Sequence, residues 1–430
     1  MVIALLAVAL GFATVLFVQK ATAPPMTYAG AYAGTMCALY VGVRLLLPHS
    51  DTILLPIVTL LTGLGLVMVY RLTYGTGGAE NLATAQVLWI LVGSGALLLT
   101  ILFCRDYQRL MDYKYLLALI GVALIASTIL FGHEINGAKL WLRVGPISLQ
   151  PSEFARVALI IFFAGYLADT RELLAATSRS FLGFQIPRLK YFGPVVLVWA
   201  ASVALLVFEK DVGISLLFIA ISLSMLYTAT GRITYALFGS LLFVTGFPVL
   251  YLIFSHVQKR MESWLDPWSD PYGNGYQVTQ SIFNIADGGF TGTGLGQGFS
   301  HIIPEVHNDF IFTAIASELD LAGATAVLLA FLVFVYRGTK IAILAHDPAS
   351  KLLAGGLSAA LALQTIIVGG VTKAIPLSGL GLPFVSYGGS AVVSNFIVTG
   401  LLLVVSEQAG RQGLPKKKQQ SFAKAEGALG

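Results

Sequence analysis

The chain has 430 residues, of which 57% are hydrophobic and only 11% charged, with a mean hydropathy of +0.82. Soluble domains carry about a quarter charged residues, so an ordinary soluble fold is excluded and an all-α, polytopic integral membrane protein is expected. The net charge of +5 is scattered through short loops and the tail, which leaves no basic patch for a nucleic-acid partner.

Apolar runs long enough to cross a bilayer of roughly 30 Å fall near residues 1–18, 26–46, 53–70, 87–104, 114–131, 153–168, 193–208, 212–230, 233–254, 310–335, 352–372 and 386–406. These predict a bundle of about twelve membrane helices. Residues 1–18 lack a basic stretch ahead of the apolar run, and Ala21-Thr22-Ala23 leads into Pro24, so the segment reads as a first span rather than a cleaved signal peptide. Cys37 and Cys104 both fall in apolar runs and read as small buried hydrophobes, with no disulfide framework or metal site implied.

Basic residues orient the bundle. One set of alternate loops holds Arg44, then Arg105, Arg109 and Lys114, then Arg171, Arg179, Arg188 and Lys190, then Arg232, then Arg337, Lys340 and Lys351, and last the Lys416-Lys417-Lys418 tail. By the positive-inside rule this set is cytoplasmic, which puts both termini inside and leaves residues 132–152, 255–309 and 373–385 outside. The tail over 411–430 is polar and lysine-rich and is expected to be disordered. No GxxxxGK[ST] loop and no metal-ligand spacing occurs, so cytosolic ATP as an energy source is unsupported and no cofactor is indicated.

The three exterior segments hold the candidate chemistry. In GAKLWLRVGPISLQPSEFARV, Lys139, Trp141 and Arg143 read either as interfacial anchors or as a cationic shelf for a phosphate-bearing lipid head group. Ser152 and Glu153 look like a helix start. Glu153 and Arg156, three apart, share a helix face at the membrane edge, and charges at that depth face protein or a cavity; Asp211 is a candidate third member. The segment 255–309 is long, polar and rich in aromatic residues, including Trp264, Trp268, Tyr272, Phe290 and Phe299, and is expected to be an ordered loop folded onto the membrane body. The third segment, TKAIPLSGLGLPFVSYGGS, sets glycines and prolines beside Lys373, and such backbone is tolerated at membrane depth only against protein or a cavity.

The strings GAKLWLRVGPISLQPSE, WLDPWSDPYGNGYQVTQS, GTGLGQG, PEVHNDFIF and LPFVSYGGS, in that order between spans so placed, resemble the SEDS family (shape, elongation, division and sporulation proteins), and within it the elongation branch. The resemblance covers roughly residues 51–408 and implies a core of roughly ten membrane helices over 51–410, preceded by two added spans over 1–50. It implies a peptidoglycan glycosyltransferase that polymerises lipid II at the outer face of the bacterial cytoplasmic membrane, with a class B penicillin-binding protein as partner. The family's catalytic aspartate, in its pattern PExHTDFIF, falls on Asp309, with Glu305 and His307 in the same motif. Its tryptophan after GAxR falls on Trp141, its charges after QPS on Glu153 and Arg156, and the aspartate of its QPDLG pattern on Asp211. Departures are Asn308 for threonine, Leu140 for arginine, Lys210 for proline, and Ser317 and Asp320 within the usual EELG.

The chemistry fits these residues independently. Polymerising lipid II requires a sugar hydroxyl to displace a diphosphate from an anomeric carbon. Diphosphate is a stable anion, so the second carboxyl that a glycosidase needs is dispensable. One base for the hydroxyl and cations for the departing charge suffice. Asp309 is the candidate base, with His307 as competitor and a plain helix cap as the bland alternative. Arg260, Lys139 and Arg143 are the candidate diphosphate cations, and assistance from a divalent cation stays open. A lipid-linked-sugar transporter, which would use Glu153, Arg156 and Asp211 as its pathway, and a division-type polymerase are the alternatives.

Overall fold

The computed structural model describes residues 1–19, 25–74, 82–135, 138–145, 147–176, 178–181, 184–187 and 189–412. The tail expected to be disordered falls almost wholly outside these residues. Apolar runs fold as helices because only an α-helix satisfies its own backbone in a lipid environment. In chain order the helices are α1 (Val2–Gln19), α2 (Pro25–Leu46), α3 (Leu54–Thr73), α4 (Leu82–Phe103), the short α5 (Tyr107–Asp112) and α6 (Lys114–Phe131). They continue with α7 (Pro151–Ala176), α8 (Leu189–Phe208), α9 (Val212–Thr230) and α10 (Ile233–Ile253). The last six are α11 (Ser255–Leu265), α12 (Tyr276–Gly288), α13 (Ile311–Glu318), α14 (Asp320–Leu344), α15 (Pro348–Ile367) and α16 (Gly389–Gln412).

Among the described residues, nine helices are long and apolar enough to cross a membrane, and Val2–Val18 and Phe192–Phe208 are shorter apolar helices. The chain is thus a multi-pass membrane protein. Helix α7 is 26 residues long but carries Glu153, Arg156, Asp169, Arg171 and Glu172, which lower its apolar character. Helices α3 and α16 are the inner members, with 83% and 89% of their apolar windows buried, whereas α4 and α6 turn Leu88, Leu91, Leu99, Leu119 and Leu130 outward, as lipid-facing helices do. At the end of the bundle that bears Arg337 and the α16 terminus, Arg337 Nε donates to Asp51 at 2.8 Å and Arg411 pairs with the buried Glu407 at 2.7 Å.

Small antiparallel elements connect some helices. β1 (His133–Ile135), β2 (Ala138–Val144) and β3 (Ile147–Leu149) form a three-stranded sheet between α6 and α7, with Arg143 opposite Ser148. β4 (Ser178–Phe181) pairs with β5 (Phe184–Pro187) between α7 and α8.

Four expectations are corrected. The apolar run over 310–335 is not one span. It breaks after Leu319, because Asp320 adopts a left-handed φ of 64° and its carboxylate accepts from Gly323 N at 3.0 Å, which starts α14 afresh. The segment over 255–309 is less a loop than a helical layer, since α11 and α12 are amphipathic helices within it. Its aromatic residues do not all fold inward: Trp264 donates to Lys373 O at 3.1 Å, but Tyr272, Phe290 and Phe299 are exposed, and Trp268 packs edge-on against Phe283 at 5.5 Å while half exposed. Cys37 is exposed and Cys104 half-buried, because a helix that meets lipid on one side presents apolar residues outward as readily as inward.

Candidate active site

The motif PEVHNDF forms a tight turn ahead of α13. Glu305 takes a left-handed φ of 57°, and its carbonyl accepts from Asn308 N at 2.9 Å and Asp309 N at 3.2 Å. Helix α13 starts with Phe310 as its cap residue and no side-chain oxygen closing its first turn. Asp309 is therefore not held in place by a capping role. Glu305 Oε2 accepts from Asn308 Nδ2 at 2.7 Å and lies 3.8 Å from His307 Nε2.

The third exterior segment clasps this turn. Ser386 Oγ donates to Asn308 O at 2.6 Å and accepts from Leu382 N at 2.7 Å, while Tyr387 N donates to His307 O at 2.9 Å. The His307 ring packs edge-on to Tyr387 at 5.7 Å. From the other side α11 brings in Arg260, whose Nη1 donates to Ser378 O at 2.5 Å and Leu377 O at 3.3 Å. Gly379 lies between Arg260 and Asp309. A Cβ there would stand 3.2 Å from Arg260 Nη2 and 3.6 Å from Asp309 Oδ2, and its φ of +74° is in the left-handed region. Only glycine leaves the space between the two charges open.

Electrostatics follow from this placement. Burial pushes the Asp309 carboxyl up to about 6, against the pull of the Arg260 guanidinium and with the help of Glu305 and Asp211. The residue stays partly accessible at the surface, so a substrate can reach it. Burial pushes His307 down from its ordinary value, with Glu305 opposing. Asp211 caps α9 by accepting from Ile214 N at 3.0 Å, and burial raises it to about 6, opposed by that bond and by Arg260 and reinforced by Glu153.

Glu153 and Arg156 form a buried ion pair at 2.9 Å. Ser394 Oγ donates to Glu153 at 3.0 Å, and Arg156 donates to Gln364 Oε1 at 2.5 Å and to Asn395 Oδ1 at 3.2 Å. Gln364 Nε2 in turn donates to Gly381 O at 3.0 Å, which links the pair to the segment over Asp309. Asp211 senses both Glu153 and Arg260, so it stands electrically between the ion pair and the Asp309 turn. Lys139 and Arg143 are exposed on β2, with Trp141 half-buried opposite His133. That sheet reaches the rest of the site through Gln150 N, which donates to Ser390 Oγ at 2.8 Å at the start of α16. Lys373 adopts a left-handed φ of 62° and holds Trp264 through its carbonyl. Among the described residues no group of three or more His, Cys, Asp or Glu is arranged to hold a metal ion.

Several supporting residues are not apparent from sequence. Arg71, at the end of α3, pairs with Glu318, at the end of α13, at 2.7 Å with both side chains buried. Glu318 also accepts from Gly296 N at 2.7 Å, and Arg71 donates to Gly298 O, so the GTGLGQG segment is tied to the helix that follows Asp309. The available signal was that each is a charge in or beside an apolar run, and charges at that depth must find partners. Gln364, Ser394 and Asn395 carried no such signal, being ordinary helix residues.

A family model for FtsW, RodA and SpoVE, described as cell cycle protein, matches residues 51–411. The peptidoglycan glycosyltransferase RodA of Mycobacterium tuberculosis is 40% identical over 409 residues, covering 93% of this chain and 87% of that protein. The probable peptidoglycan glycosyltransferase FtsW of Trichlorobacter lovleyi is 32% identical over 372 residues, covering 84% and 94%. A solved structure of a peptidoglycan synthase complex, described as coordinating polymerization and crosslinking, contains a chain that agrees in fold with a TM-score of 0.67 at 24% identity, over 84% of this chain and 98% of that one.

Proposed function

The chain belongs to the FtsW, RodA and SpoVE family and is a peptidoglycan glycosyltransferase; we propose that Asp309 is the base with which it polymerises lipid II. The observation that carries this reading is the partly accessible Asp309 carboxyl, raised to about 6 beside the Arg260 guanidinium with Gly379 keeping the space between them open, whereas Asp211, raised alike, is buried as the cap of α9. A carboxylate raised toward the working pH is a stronger base than an ordinary one, and desolvation supplies that rise. The acceptor hydroxyl gives its proton to Asp309 as its oxygen bonds to the anomeric carbon. The carbon–oxygen bond to the diphosphate breaks with its electrons on the leaving group, which Arg260 stabilises. Glu305 holds the turn, Glu153, Arg156 and Asp211 brace the elements around it, and Lys139, Trp141, Arg143 and Lys373 belong to the surface that meets the lipid-linked sugars. Residues 51–410 carry this reaction and residues 1–50 are an addition to it.

The higher identity to RodA than to FtsW supports a role in elongation rather than division. The partner is a single-pass class B penicillin-binding protein, checked by co-purification of the two from one membrane extract. The protein purified alone in detergent should convert lipid II into glycan. A transporter has no second compartment to fill in detergent and would leave lipid II unchanged, so absence of polymer would sink the polymerase reading.

The site faces the exterior of the cytoplasmic membrane and both termini face the cytosol. Tyr272 is 91% exposed on one side and the Arg109 side chain 83% exposed on the other. In a variant lacking Cys37 and Cys104, Tyr272→Cys should react with an impermeant thiol reagent in intact cells and Arg109→Cys should react only after lysis. The reverse pattern would invert the orientation.

A further inference from the structure

The turn between α8 and α9 is Glu209-Lys210-Asp211, closed by Lys210 N donating to Val207 O at 3.0 Å and Asp211 N to Leu206 O at 3.0 Å. Its two acids point inward. Glu209 is buried and accepts from the Thr128 hydroxyl, and Asp211 is buried as the cap of α9. Lys210 between them is exposed and adopts a left-handed φ of 65°, a conformation costly for a residue with a side chain.

This turn lies against the same piece of backbone that holds Arg260. The first turn of α9 packs on Ser378, where a Cβ on Gly213 would come within 2.5 Å of Ser378 O. Arg260 Nη1 donates to that same carbonyl at 2.5 Å, and the next residue, Gly379, separates Arg260 from Asp309. His256 stands four residues before Arg260 on α11 and so on the same helix face. Arg260 thus stands beside the candidate base, and His256 feels the charges of both Arg260 and Lys210.

We propose that Lys210 and Arg260 together bind the diphosphate of the lipid-linked sugar, Arg260 on the phosphate next to the reacting carbon and Lys210 on the phosphate next to the lipid. This deepens the polymerase reading and rests on it. The charge balance argues for a second cation. Arg260 alone faces Asp211 and Asp309, both of which interact with it electrostatically, and so offers an incoming diphosphate no net positive field. Glu209, raised by burial to about 8, adds little negative charge near neutral pH. His256 is pushed below its ordinary value by burial and by the positive charges of Arg260 and Lys210, which disfavours its charged form. During reaction the proton of the acceptor hydroxyl neutralises Asp309, and the electrons of the broken bond add a negative charge to the diphosphate. Both changes strengthen its hold on Lys210 and Arg260 at the moment of departure.

The test is binding of undecaprenyl diphosphate, with undecaprenyl monophosphate as comparison, to the full-length protein in detergent. Lys210→Gly suits the left-handed turn, so it should fold at least as well as the parent while losing the cation. It should bind the diphosphate about tenfold or more weakly, the scale of one charge-assisted hydrogen bond, and bind the monophosphate more weakly as well, because that ligand keeps the phosphate next to the lipid. Lys210→Arg should retain diphosphate affinity. Diphosphate binding by Lys210→Gly within twofold of the parent, or equal loss in Lys210→Arg, would overturn the proposal. Failure of the polymerase reading itself would show separately, as a parent protein that makes no glycan from lipid II.

Discussion

Asp309→Asn is expected to lower lipid II polymerisation on the order of 10²-fold or more, the usual contribution of a positioned proton acceptor, while the protein still folds and binds lipid II. The amide has the size of the carboxyl but cannot take the proton. The substitution is clean because α13 is not capped by the Asp309 side chain, and because the Asp309 backbone bond to Glu305 O at 3.2 Å survives it. His307 is the other base in the motif, and burial pushes it down from its ordinary value, which makes it a weaker proton acceptor. Its backbone carbonyl and ring are engaged with Tyr387, which marks it as part of the clasp that holds the turn. Glycan synthesis measured with purified parent and variant checks the point, and near-parental activity in Asp309→Asn would move the search for the base to His307 and Glu305.

Arg71→Met should be among the most destabilising single changes in the chain. Its guanidinium and the Glu318 carboxylate are 2.7 Å apart with side-chain exposures of 6% and 0%. Removing one partner of such a pair leaves an uncompensated buried charge, at about 3–5 kcal/mol. Gly298 O would lose its donor at the same time. Thermal unfolding in detergent reads the loss. Arg71→Met combined with Glu318→Gln should recover part of it, since the orphaned charge is then gone. A midpoint for Arg71→Met equal to that of the parent would mean that water reaches Glu318 and that the pair contributes little.

What the sequence disclosed and what it hid divide along physical lines. Membrane helices are legible because each is a local composition, and the Asp309 turn is legible because its motif sits where a polar segment meets an apolar run. The break after Leu319 is not legible, since the apolar pattern continues through it and only the left-handed backbone at Asp320 interrupts the helix. Helices α11 and α12 were hidden by the glycines, prolines and aromatic residues between and around them, although their amphipathic faces are regular. The pairings of Arg71 with Glu318 and of Arg156 with Gln364 and Asn395 join distant helices. Periodicity has no access to such contacts. The aromatic residues of the exterior layer misled for the opposite reason: aromatic content argues for order, but it does not say which rings are covered, and Tyr272 and Phe290 are not.

The most direct test of Asp309 as a base is the pH dependence of kcat/KM for glycan synthesis, because it reads the ionisation of the essential group. The base works as carboxylate, so activity should fall as pH drops through its pKa, with the acid limb at about 6 in the parent. Arg260 favours the charged form of Asp309, so Arg260→Met should move that limb to higher pH, whatever it also does to the maximal rate. An acid limb near 4, the ordinary carboxylate value, or one that stays in place in Arg260→Met, would contradict the account.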